Sequence, residues 1–238
     1  MDPDGQSWRR HVPSLATGLT LLLGLGAIEA ARFGDPDLGL RFVLLAILAD
    51  GVDGVLARRW GCNSDFGGNL DSLADVIAFG VAPGILFAAQ HPEAPGPVRV
   101  IVMAMIVIAG AWRLARFGSE RPGPDFSGLP ITTGGPLFAL AVAGAQPASA
   151  EYGVVWGLTL AALMVSRVPF PRFTRGRLGQ FMMLLAGIFV VALAFDGKFA
   201  LWCAQLGLMA YVAWGLVRAV GLVAVNGRAA TGGRGRST

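Results

Sequence analysis

Charge is scarce in this chain. Only 14% of its 238 residues are Asp, Glu, Lys or Arg, against about 25% in soluble domains. Meanwhile 54% are hydrophobic and the mean hydropathy is +0.61. This balance excludes an ordinary soluble domain and predicts a chain that lives in lipid. Cysteine is nearly absent: Cys62 and Cys203 lie on different segments with no Cys or His at ligand spacing, which excludes a disulfide framework and a zinc site. Histidine is as rare, with His11 and His91 far apart in sequence. The net charge of +4 and pI near 9.8 raise nucleic acid as a partner. The basic residues, however, lie singly or in pairs between apolar runs with few aromatics beside them, and no nucleic acid is expected.

What is abundant is apolar sequence in stretches of about 20 residues, each long enough to cross ~30 Å of hydrocarbon. The pattern predicts spans at 13–31, 38–57, 70–90, 98–117, 130–149, 152–170, 179–195 and 198–225, separated by breakers such as Gly34-Asp35-Pro36 and Gly61-Cys62-Asn63-Ser64. The expected fold is therefore all-α, a polytopic transmembrane bundle of about eight helices. Arg9-Arg10 before the first span matches the start of a twin-arginine export signal, but the remainder of the chain is more membrane sequence rather than cargo. With the N-terminus in the cytoplasm, the 19 basic residues fall inside except Arg32, Arg41, Arg99 and Lys198. That bias places both termini in the cytoplasm. Residues 1–225 are read as one membrane domain, and the Gly- and Arg-rich tail 226–238 as a disordered segment with nothing to bury.

Into this apolar background the chain sets four aspartates. Asp50 and Asp53, at the end of the second span, are i, i+3; Asp71 and Asp75, at the start of the third, are i, i+4. Each pair shares a helix face. The short connection between the spans predicts antiparallel neighbours, with both pairs at one depth near the cytoplasmic surface. A carboxylate at a helix centre costs about 2.5–3.5 kcal/mol on insertion scales, and four together repel one another. Helix-end placement in the headgroup layer, with Asp71 capping the third helix, explains one such residue but not four at this spacing. Oxygen ligands without Cys or His select hard divalent ions such as Mg²⁺ or Mn²⁺, which share coordination with phosphate-bearing substrates. Gly51, Gly54, Ala57, Gly67 and Gly68 leave room for a nucleotide to approach the backbone.

The stretch from Asp50 to Asp75 matches the pattern D-x2-D-G-x2-A-R-x8-G-x3-D-x3-D at every defined position: Asp50, Asp53, Gly54, Ala57, Arg58, Gly67, Asp71 and Asp75. In this it resembles the CDP-alcohol phosphatidyltransferase family. Four further stretches are similar to its phosphatidylserine synthase branch: Asp71 to Pro83, Arg113-Leu-Ala-Arg-Phe117, Phe126-Ser-Gly-Leu-Pro130, and Leu163-Met-Val-Ser166 with Pro169-Phe-Pro171. The chain departs from that branch at Pro13-Ser14, where Pro-Asn is common, and at Gly118, where Asn is common.

The resemblance implies an integral membrane enzyme with two divalent ions, CDP-diacylglycerol and L-serine as substrates, and a homodimer. It implies that Asp50, Asp53 and Asp71 bind metal and the CDP diphosphate, with Gly54, Ala57, Arg58 and Gly67 lining that site. Asp75 would join the second metal and act as general base, and Thr17 would face the nucleotide. A serine carboxylate needs a cation, and Arg113 and Arg116, i and i+3, are the leading candidates, ahead of Arg167. A topology role at the interface accounts for these arginines equally well. The acceptor stays open between serine and the phosphorylated alcohols glycerol 3-phosphate and inositol phosphate, which call for a denser basic pocket. A transporter would scatter its carboxylates near the midplane within an inverted repeat, and the sequence has no visible repeat.

Overall fold

Asp35 shows how the chain reverses between its first two helices. A computed structural model describes residues 12–60, 64–119, 125–144, 149–171 and 205–221. Helix α1 (Val12–Arg32) ends where Gly34, at φ +80°, donates its N–H to Ala31 O while Asp35 N–H reaches Ala30 O. This pair of bonds closes a helix C-terminus through a left-handed residue. Asp35 Oδ1 then accepts from Leu38 N at 2.9 Å, capping α2 (Pro36–Trp60), whose first residue is a proline with no N–H to satisfy. The result is a tight antiparallel pair, α1 along α2.

The third element is one rod, Asp65–Gln90, built in three parts: α3 (Asp65–Asp75), a wider π-helical turn (Val76–Val81) and α4 (Ala82–Gln90). It starts five residues before the predicted span because Ser64 caps it, its Oγ accepting from Gly67 N at 3.0 Å. Asp71 lies well inside α3, so capping is not its role. At the far end the turn after Gln90 is held by His91, whose Nδ1 lies 3.0 Å from Glu93 Oε1. Glu93's own backbone N–H, and then the His91 ring, hold its carboxyl below the usual carboxylate range.

Helix α5 (Gly96–Ser119) is next, then strand β1 (Asp125–Ser127), α6 (Ile131–Ala143), α7 (Ala150–Val165) and strand β2 (Pro169–Pro171), with a last helix, α8, at 205–221. Strands β1 and β2 pair antiparallel with Phe126 opposite Phe170. The predicted spans at 130–149 and 152–170 therefore end early: Gly144 and Ser166 adopt extended backbone, and Pro169 to Pro171 belong to a strand. The seventh predicted span and the tail lie outside the described residues.

Helix α6 is buried nearly all round, as the central helix of a bundle must be. Phe79, Phe87, Phe138, Leu86 and Leu137 form the core around it. The outside is also apolar: Leu15, Leu22, Ile108, Trp112, Trp214 and Val217 are exposed. Such a surface suits hydrocarbon rather than water. Among the described residues, three helices are long and apolar enough to cross a membrane: Leu15–Arg32, Asp65–Gln90 and Gly96–Ser119.

Candidate active site

Asp50 comes from the second half of α2, and Asp71 and Asp75 from α3. Their carboxylates converge, with one oxygen from each lying within 4.8 Å of the others. Asp75 is only 4% exposed, while Asp50 and Asp71 are half-buried. The rod packs along α2 through α4 and the wide turn, as the short connection suggested, and helix α1 lies against both α2 and α3. Thr17, 4% exposed, sits on α1 toward the end that pairs with the acid-bearing half of α2.

Three carboxylates at this separation, one of them buried, form a donor set of hard oxygens suited to a divalent cation. Of the other residues in the motif, Gly54 and Gly67 are half-buried, with no side chain to obstruct a ligand, and Gly67 N–H is committed to Ser64. The side chains of Asp53, Ala57 and Arg58 lie outside the described residues, although their backbone belongs to α2.

The predicted arginines separate into different settings. Arg113, near the end of α5, is 5% exposed, and its guanidinium carbon lies 5.2 Å from the ring centres of both Phe117 and Phe126. Cation–π contacts of this kind, worth about 0.5–2 kcal/mol each, hold the group against the two rings, whose own centres lie 5.9 Å apart. Arg116 points to α7: Nη1 donates to Ser166 O at 2.9 Å and Nη2 to Val165 O. It satisfies carbonyls that the end of α7 leaves without intrahelical partners. Arg167 is exposed.

Sequence reasoning missed the rest of this assembly. Leu129 N–H donates to Leu163 O at 3.0 Å and Gly128 N–H to Val168 O at 2.9 Å, so the Phe126–Pro130 segment docks on the end of α7. Ser166 Oγ closes the helix by donating to Leu163 O at 2.7 Å. The stretches Phe126–Pro130, Leu163–Ser166 and Pro169–Pro171 stood out in the sequence, but their docking on one another depends on the β1–β2 pairing, which the sequence does not state.

Gly128 is a close approach of backbone to backbone in this assembly. Its φ is +81°, and a Cβ there would lie 2.5 Å from Met164 O and 2.7 Å from Ser166 O. Gly128→Ala should therefore destabilise the protein by about 2–4 kcal/mol, from left-handed backbone and overlap together. Thermal unfolding in detergent should show a midpoint lower by about 5–15 °C; an unchanged midpoint would mean that the segment docks differently.

Comparison with known proteins decides the family. The model of the CDP-alcohol phosphatidyltransferase family matches residues 10–216. The chain belongs to that family. A CDP-diacylglycerol-serine O-phosphatidyltransferase of Helicobacter pylori is 32% identical over 219 residues, covering 87% of this chain and 90% of the relative. One of the same name from Methanocaldococcus jannaschii is 32% identical over 164 residues, covering 68% and 74%. The archaetidylserine synthase of Methanothermobacter thermautotrophicus is 32% identical over 170 residues, covering 68% and 70%. Enzymes of this family use divalent metals, and the converged aspartates offer oxygens suited to hold one.

Proposed function

We propose that this phosphatidyltransferase moves the phosphatidyl group of CDP-diacylglycerol to the hydroxyl of L-serine, giving phosphatidylserine and CMP. The observation that carries the chemistry is the convergence of Asp50, Asp71 and Asp75 within 4.8 Å. The acceptor rests on the names of relatives, since serine is common to the diacylglycerol and the archaeal ether-lipid enzymes. Asp50, Asp53, Asp71 and Asp75 would hold two divalent ions, Mg²⁺ or Mn²⁺, which when bound offset the charge of the diphosphate and of the departing CMP. Gly54, Ala57, Arg58, Gly67 and Thr17 would shape the nucleotide pocket.

Asp75 accepts the proton of the serine hydroxyl. The serine oxygen bonds to the phosphorus that carries diacylglycerol, and the bond from that phosphorus to the oxygen of CMP breaks. Arg113 faces the serine carboxylate, and Arg116 serves the same subsite by fixing the end of α7 beside it. Such positioning and charge neutralisation are the main tasks in phosphoryl transfer.

The same reading makes residues 1–225 the catalytic membrane domain, with eight helices, and puts both termini and the active site on the cytoplasmic side of the cell membrane. The enzyme works as a homodimer. Purified protein with Mn²⁺ or Mg²⁺ should release CMP from CDP-diacylglycerol when offered serine, and at least about tenfold more slowly with glycerol 3-phosphate or inositol phosphate. No release with any alcohol would overturn the activity; preference for a phosphorylated acceptor would overturn the serine assignment alone.

A further inference from the structure

Between Asp75 and α4 the rod departs from α-helical geometry for six residues, Val76–Val81, and Ala82 N–H donates five residues back, to Ile77 O. Two residues account for this. Pro83 has no N–H to offer the Phe79 carbonyl four residues before it, and in an α-helix its ring would collide with that oxygen, so the preceding turn widens. The Phe79 carbonyl then lies so near Gly135 of α6 that a Cβ on Gly135 would overlap it. From the α1 side, a Cβ on Gly24 would come within 2.8 Å of Ala78 Cα. The widened turn is held between two helices, with Ala78, Phe79 and Gly80 buried.

We propose that Pro83 and Gly135 are positioning residues for the reaction: they maintain the wide turn that points Asp71 and Asp75 at Asp50. The far half of the rod is anchored, since Ala82, Pro83, Gly84, Leu86 and Phe87 are buried. Around a helix axis each residue advances by about 100° and ~1.5 Å. A turn that holds one more residue than an α-turn therefore rotates everything before it by a comparable angle. Tightening that turn swings Asp71 and Asp75 away from Asp50 and breaks the cluster, although no carboxylate has been altered. The inference rests on the carboxylate cluster being the reaction site.

Pro83→Ala restores an N–H for Phe79 O, and Gly135→Ala pushes on that oxygen from α6. In both, kcat should fall at least about 100-fold, since a misplacement of only about 1 Å already costs that much, while the KM for serine stays within about threefold. Mn²⁺ binding to the folded enzyme in detergent, followed by electron paramagnetic resonance without lipid substrate, should weaken at least about tenfold. Gly153→Ala is the structural control: its Cβ would press on Phe87 Cε2 at 2.7 Å, crowding the same rod beyond the turn. It should lower thermal stability while kcat and Mn²⁺ affinity stay within about threefold of wild type.

Pro83→Ala and Gly135→Ala enzymes with wild-type kcat and Mn²⁺ affinity would overturn the proposal, as would an equal loss of kcat in Gly153→Ala. If Gly135→Ala does not fold, Pro83→Ala, which removes a constraint without adding bulk, decides alone. Should wild-type protein release CMP with no alcohol, the proposed function fails, and the Mn²⁺ comparison still decides the role of the turn.

Discussion

Asp71→Asn should lower serine-dependent CMP release at least about a thousand-fold, with Asp50→Asn close behind. The amide keeps the volume and one oxygen but removes the charge. Asp50, Asp71 and Asp75 bring an oxygen each within 4.8 Å of the others, so a cation held there depends on all three, and losing roughly 4 kcal/mol of charge stabilisation corresponds to that factor. Mn²⁺ affinity should fall in parallel. Asp75→Asn should differ in kind: turnover is lost to the same degree and one ion is held less tightly, but CDP-diacylglycerol binding persists, because Asp50, Asp53 and Asp71 still hold the ion that meets the diphosphate. CMP-release kinetics alongside equilibrium binding of the CDP-lipid separate the two outcomes. An Asp71→Asn enzyme that kept a tenth of its activity would exclude the cluster as the reaction centre, and an Asp75→Asn enzyme with near wild-type turnover would exclude Asp75 as the base.

The aspartates were legible in sequence because their chemistry is local. Spacings of i, i+3 and i, i+4 state which carboxylates share a face, and insertion cost states that they need a partner. Helices α1, α2 and α5 were legible for a similar reason, since long apolar runs bounded by Gly, Pro and Asp leave few alternatives. What sequence did not reveal depends on distant partners. The short link after α2 did foretell that the rod packs along α2, but nothing in residues 50–75 encodes that α1 lies against both α2 and α3 as well. The span drawn to residue 170 overran because Pro169 to Pro171 are apolar, and apolarity alone does not separate a helix end from a strand whose partner, Phe126, lies more than forty residues away. The wide turn was hidden too: Pro83 signals an irregularity, but its location at Val76–Val81 becomes clear only with Gly135 in view. These features share a cause, for each is settled by a hydrogen bond or contact between segments that are remote in sequence.

Arg113 carries the second large effect. Arg113→Ala should raise the KM for serine about 10–100-fold, the worth of about 1.5–3 kcal/mol in hydrogen bonds to a charged group, with CDP-diacylglycerol binding unchanged. Arg113→Lys should recover only part of this: an ammonium is a point charge, without the planar fork that grips a carboxylate at two places or the delocalised group that lies against Phe117 and Phe126. Phe126→Leu removes one ring while leaving the charge, and should raise the same KM about 3–10-fold, consistent with about 0.5–1.5 kcal/mol for one cation–π contact. Arg116→Ala should behave differently, because its guanidinium donates to Val165 O and Ser166 O: it loosens the end of α7 and lowers thermal stability along with serine affinity. Steady-state kinetics over a wide serine range, with unfolding midpoints on the same preparations, separate these cases. If Arg113→Ala left the serine KM unchanged while Arg116→Ala raised it at full stability, the two arginines would have to exchange roles, and the acceptor carboxylate would lie against the end of α7 rather than at Arg113.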